Sequence, residues 1–170
     1  MPLSELAAGE DTRAPELSIR NSQRRREIDL RLLRRIVLDC LKELLKVEFE
    51  VGIKIVSSSE MARVNEQYLG HAGPTDVITF NHLESEEQDR IHGDIYVCID
   101  EAVIQARRFG TSWQEELVRY VIHGMLHLLG YDDRTERLRQ RMKRVEDKLM
   151  TQISEHFPFR RLQVRSHPNG

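Results

Sequence analysis

The stretch from Ser112 to Leu129 constrains the fold more than any other part of this chain. Ser112 and Glu115 form a capping box that opens a helix. Leu117, Val118, Val121, Ile122, Met125, Leu126, Leu128 and Leu129 then place apolar side chains nearly all the way round about 17 residues of it. A helix of that kind cannot lie on a surface and must be enclosed by other elements. Gly130 is expected to end it, because glycine accepts the left-handed conformation at a helix cap.

Two polar residues break this apolar surface, His123 and His127. Four residues are about 400° of helix rotation, so both imidazoles leave one face roughly 6 Å apart. At that separation one nitrogen of each can meet a single ion at about 2.0–2.1 Å. Gly130 follows three residues later and Asp133 three after that, giving H-x-x-x-H-x-x-G-x-x-D. The glycine lets the chain turn sharply and swing Asp133 back toward the histidines. The alternative is a pair of core histidines satisfied by hydrogen bonds, since unpartnered buried imidazoles cost several kcal/mol. The spacing favours a metal held by His123, His127 and Asp133, with Asp132 as the reserve third ligand.

Two imidazoles and one carboxylate suit zinc, with a fourth position left for water, the arrangement of catalytic rather than structural sites. The carboxylate makes such a water less acidic than three histidines would, and it leaves iron or manganese open. The expected chemistry is hydrolysis by metal-bound water. Zinc peptidases also use two histidines one turn apart, but with a glutamate after the first as general base. Here that position is Gly124, which argues against a peptidase.

Around this helix the chain reads as α+β, a small sheet covered by helices. Glu16–Asn21 could form a first strand, and Leu30, Leu33, Val37, Leu41, Leu44 and Leu45 predict an amphipathic helix from about Asp29 to Val47. Val51–Val56 alternates as a strand, and Ser57 with Glu60 caps a helix to about Tyr68. After a turn at LGHAGPT come strands at Val77–Phe80 and Ile95–Ile99, with an exposed connection over His82–Arg90 between them. Helices follow over Asp100–Phe109 and Arg134–Glu155. Residues 1–15 are expected to be disordered, 16–155 to form one domain, and 156–170 to be a frayed tail.

With 170 residues, 39% apolar and 32% charged, the chain supports one core and a heavily solvated surface. No run approaches the roughly 18 apolar residues of a membrane span, and the N-terminus does not resemble a secretory signal. Cys40 and Cys98 lie in apolar segments and read as buried free thiols, which together with these features points to the cytoplasm. A net charge of −2 excludes wholesale attraction to nucleic acid. Basic residues do cluster at Arg24, Arg25, Arg26, Arg31, Arg34 and Arg35, and from Arg134 to Arg144. These runs are solvated helix faces or phosphate-binding surfaces.

The run HGMLHLLGYDD at His123–Asp133 resembles the signature of the YbeY family of metal-dependent endoribonucleases, which usually reads HGxLHLxGYDH. PTDVITF at Pro74–Phe80 is similar to that family's PTDVLSF, and GDI at Gly93–Ile95 also matches, in the same order and spacing. The resemblance covers about residues 50–150. It implies a mixed sheet packed against helices, with the metal at the mouth of a cleft. It further implies cleavage of single-stranded RNA, maturation of 16S rRNA ends and ribosome quality control. Its partners would be rRNA and ribosomal particles, with no membrane and no DNA.

Two positions depart from the family pattern. Asp133 stands where the family usually has histidine, which implies weaker or altered metal preference. Leu69 stands where the family has an arginine suited to gripping phosphate, and His71 is the nearest substitute. Leu69 favours a rival reading, a ribosome-associated factor that binds without cleaving and whose metal is structural. Asp76 is expected to cap backbone amides, with substrate contact or support of a metal ligand as the alternative. Asp94 reads as a hydrogen-bonded strand-edge carboxylate. Glu116 and Tyr120, on the histidine face, read as support or core.

Overall fold

The computed structural model describes residues 16–44, 48–83 and 90–165. The expected disorder of residues 1–15 lies outside these. Among the described residues the elements run β1 (Glu16–Asn21), α1 (Leu30–Leu44), β2 (Phe49–Val56), α2 (Ser58–Leu69), β3 (Val77–Asn81) and β4 (Ile91–Cys98). The order continues with α3 (Ile99–Phe109), α4 (Trp113–Leu128), α5 (Glu136–His156) and a 3-10 turn, Phe159–Leu162. The sheet order is β1-β2-β4-β3. β1, β2 and β4 are parallel, whereas β3 pairs antiparallel with β4 at the edge. This is the mixed sheet and helical cover expected for an α+β chain.

Alternation along the strands sorts the two faces. Val51, Ile53 and Ile55 of β2 and Ile91, Ile95 and Val97 of β4 are buried in the main core with α1, α4 and α5. α2 covers one end of the opposite face through Met61 and Val64, which pack with Val56, Ile78 and Cys98. α4 is the enclosed helix: twelve of its sixteen residues are buried, including Leu117, Ile122, Met125 and Leu126. Its N-cap is Ser112, whose hydroxyl accepts from Glu115 N at 3.1 Å. Both cysteines are buried free thiols, and burial pushes Cys40 up to about 12.

Two glycines set how closely α4 approaches the sheet. A Cβ on Gly124 would lie 2.6 Å from Ile95 Cγ2, so the helix rests directly on β4 there. A Cβ on Gly93 would collide with the Phe80 carbonyl oxygen and stand 2.6 Å from Leu128 Cδ2. These contacts fix the helix that carries both histidines against the strand pair β3–β4.

Two expectations fail. β4 begins at Ile91 rather than Ile95. His92 and Asp94 lie on the open face, and Gly93 has no side chain to pack, so the local sequence does not look like strand. Pairing with β2 on one side and β3 on the other overrides that weak propensity. The tail from residue 156 is not frayed through residue 165. Leu162 is fully buried, Asp29 N donates to its carbonyl at 2.7 Å, and Ile28 bridges to Gln163. Phe157, Phe159 and Leu162 supply enough apolar surface to dock this segment. Residues 166–170 lie outside the described part, as do 45–47, where α1 was expected to end.

Candidate metal centre

α4 presents His123 and His127 side by side, with ring centroids 4.7 Å apart and planes at 81°. After α4 the chain reverses at Gly130, whose φ of 93° is in the left-handed region glycine tolerates. That reversal brings back two groups. The Tyr131 carbonyl accepts a hydrogen bond from His127 Nδ1 at 3.0 Å. Asp133 places Oδ2 3.7 Å from His123 Nε2 and 3.5 Å from His127 Nε2. Among the described residues, His123, His127 and Asp133 form the group whose ligand atoms all lie within 4.8 Å of one another. These three can hold a metal ion.

The hydrogen bonding around the rings tests whether an ion fits. A carbonyl only accepts, so His127 carries its proton on Nδ1 and turns a lone pair outward at Nε2. His123 Nδ1 meets the buried Glu146 Oε2 at 2.8 Å, and a carboxylate likewise accepts. Both Nε2 atoms therefore present lone pairs, and they face each other at 3.1 Å with the Asp133 carboxylate beside them. Three electron-rich atoms converging in this way could share one cation. The donors are two imidazole nitrogens and a carboxylate oxygen, a set that suits a divalent transition ion.

In the absence of an ion, a proton serves. Burial opposes charge on His123, but the Glu146 hydrogen bond and carboxylate outweigh it and raise the pKa above the usual imidazole value. Glu146 is itself held, since its Oε1 accepts from Arg119 Nη1 at 3.0 Å. Such outer partners fix the tautomer and direction of a ligating histidine.

Asp132 does not join the cluster. Its Oδ1 accepts from Arg134 N at 3.0 Å and its Oδ2 from Arg134 Nε at 2.6 Å. Asp76 caps the start of β3, accepting from Val77 N at 2.8 Å. It also lines a cleft of about 290 Å³ together with Leu69, Val77, Ile78, Thr79 and the three clustered residues. Both readings of Asp76 thus have support. Leu69, the last residue of α2, is 47% exposed at that cleft, and His71 does not line it. Asp94 is not at an edge: β4 is an interior strand, and its carboxylate pairs across the sheet face with His82 Nε2 at 2.8 Å. Glu116 is buried and accepts from Thr111 Oγ1 at 2.7 Å. Burial and the nearby Asp76 raise the Tyr120 hydroxyl pKa.

Glu146 was not foreseen, although a signal for it exists. In α5 the buried positions are Met142, Glu146, Leu149, Met150 and Ile153, so one carboxylate sits inside an apolar stripe. A buried acid at such a position implies a partner on the facing helix.

The family model described as Endoribonuclease YbeY matches residues 18–154. An Endoribonuclease YbeY of Chlorobium luteolum is 36% identical over 81% of this chain and 98% of its own length. One from Caldanaerobacter subterraneus is 32% identical over 76% of this chain and 93% of its own. The solution structure of a protein from Thermotoga maritima superposes with a TM-score of 0.57 at 27% identity, covering 91% of this chain and 99% of that one. With its three signature blocks in register and nearly the whole fold matched, this chain belongs to the Endoribonuclease YbeY family.

Proposed function

We propose that this protein is a zinc-dependent endoribonuclease that cleaves single-stranded RNA. The observation that carries the proposal is the convergence of His123 Nε2, His127 Nε2 and the Asp133 carboxylate, with the two nitrogens 3.1 Å apart. His123, His127 and Asp133 would hold one ion. A bound divalent ion supplies Lewis acidity toward a phosphodiester oxygen and makes water acidic enough to ionise near neutral pH. The protein's part is orientation. Glu146 and the Tyr131 carbonyl hold the two rings in the tautomer that ligates, and the turn at Gly130 positions the carboxylate. With side chains 26–42% exposed, the cluster is open to an extended polymer strand.

We take 16S rRNA ends, and a role in ribosome quality control, as the biological substrate and setting, on the strength of the family resemblance. rRNA and ribosomal particles would be its partners. Among the described residues no helix is long and apolar enough to cross a membrane; a cytoplasmic site of action rests on the family resemblance and is part of the same proposal. The non-cleaving rival rests on Leu69, since that wall of the cleft lacks the family's arginine. A peptidase has less support still, because position 124 faces Ile95 and has no room for a general base.

The test is incubation of end-labelled single-stranded RNA, and DNA of the same sequence, with the purified protein. The proposal expects internal cleavage of RNA alone, blocked by chelator, restored by zinc and lost in a folded His127→Ala variant. Absence of cleavage by the metal-loaded wild type, with retained binding to ribosomal particles, would establish the rival.

A further inference from the structure

Two clefts adjoin the metal cluster, and beyond it they are walled by different elements. One is made by Leu69 and the β3 residues Val77, Ile78 and Thr79. The other belongs to α5, where Arg139, Met142, Lys143 and Glu146 enclose about 170 Å³. His123 and Asp133 line both sides, so the cluster lies between them. Arg139 and Lys143 are four residues apart, hence neighbours on one helix face.

These two cations are available. Arg139 Nη1 donates to Glu136 Oε2 at 2.9 Å, and Lys143 Nζ lies 3.5 Å from Asp147 Oδ2. Both are exposed pairs within a turn of the same helix, which water screens and a stronger anion displaces. The acids on this wall are otherwise committed. Glu146 accepts from both His123 and Arg119, and Asp133 faces the two imidazoles. Among the residues of α5 that line the cleft, Arg139 and Lys143 are the cations and Glu146, already held by His123 and Arg119, is the acid. A guanidinium supplies a fork for two phosphate oxygens and an ammonium a point charge.

We propose that Arg139 and Lys143 form a phosphate-binding subsite, gripping the backbone of single-stranded RNA next to the bond lying over the cluster. They supply from α5 the cationic grip that Leu69 cannot supply from α2. This rests on the ribonuclease reading above and adds to it the direction in which the strand leaves the cluster.

The experiment compares the full metal-loaded chain with Arg139→Gln/Lys143→Gln and with Arg137→Gln/Arg144→Gln. The second pair removes the same charge from exposed positions on the same helix that line neither wall. Cleavage of a short single-stranded RNA is followed across salt concentrations, and binding of the same RNA by fluorescence anisotropy. The subsite pair should raise KM about fivefold to tenfold with kcat within about twofold, as expected for two solvent-accessible charge contacts. The slope of log Kd on log salt should fall by about 1.4, at roughly 0.7 for each phosphate contact on a single strand. Equal KM and equal slope in the two double variants would overturn the subsite while leaving the ribonuclease reading intact. Binding without cleavage by the wild type, weakened only in the subsite pair, would support the subsite and sink the ribonuclease reading. A wild type that neither binds nor cleaves overturns both.

Discussion

Glu146 offers the sharpest test of how the cluster is built. Its Oε2 accepts from His123 Nδ1 at 2.8 Å and its Oε1 from Arg119 Nη1 at 3.0 Å, so one buried carboxylate serves two donors. Glu146→Gln keeps the volume but offers a single accepting oxygen, and its amide nitrogen must then face one of the donors. Glu146→Ala removes both acceptors. Loss of such an outer partner lowers metal affinity by roughly 10–100-fold, or about 1.4–2.7 kcal/mol. The glutamine variant should fall near the lower figure and the alanine variant near the upper. Arg119 keeps a second partner, Asp147 Oδ1 at 2.8 Å, so its charge is not stranded and the fold should survive. Zinc affinity is measured by competition with a chromophoric chelator, with thermal unfolding of each metal-free variant in parallel. Wild-type affinity in both folded variants would refute the reasoning, because His123 would then not depend on Glu146 for its orientation.

Other predictions concern pH, packing and the turn of α4. In the metal-free protein His123 has a folded-state pKa raised above the ordinary 6.5. Protonation therefore favours folding: the contribution is complete below that ordinary value and is lost as pH rises through the raised one. The stability difference between wild type and His123→Gln, from denaturant titrations, should shrink as pH rises from 6.5; a constant difference contradicts this. Leu162→Ala should destabilise by about 2–5 kcal/mol, as for a fully buried leucine. A loss below about 1 kcal/mol would show the C-terminal segment to be undocked. Gly124→Glu should yield no peptidase and should unfold at markedly lower denaturant. Its side chain would start 2.6 Å from Ile95 Cγ2 in a fully buried contact, overpacking that costs about 1–3 kcal/mol before the charge is counted.

What could be read in advance followed from how locally each feature is encoded. His123, His127, Gly130 and Asp133 fall within one helix and its turn, so spacing alone places their side chains together. The strands of β1 and β2 and the cap at Ser57 were legible for the same reason. Features that need a distant partner were not. The first half of β4 is strand only because β2 and β3 flank it. Leu162 docks because α1 and α4 leave it a site. Glu146 reaches His123 from a helix 23 positions along the chain, and no local period announces that contact. Arg139 and Lys143 belong to a basic run that the sequence leaves open between a solvated helix face and a phosphate-binding surface, and only the fold places them beside His123 and Asp133.

Every step proposed for this site depends on His123, His127 and Asp133 together holding a metal ion. Elemental mass spectrometry on purified wild type and Asp133→Ala tests it most directly. One zinc per wild-type chain, lost or sharply reduced in the variant, is the predicted result. A wild type that stays metal-free after incubation with zinc contradicts the claim, and the two histidines would then be hydrogen-bonded residues of α4.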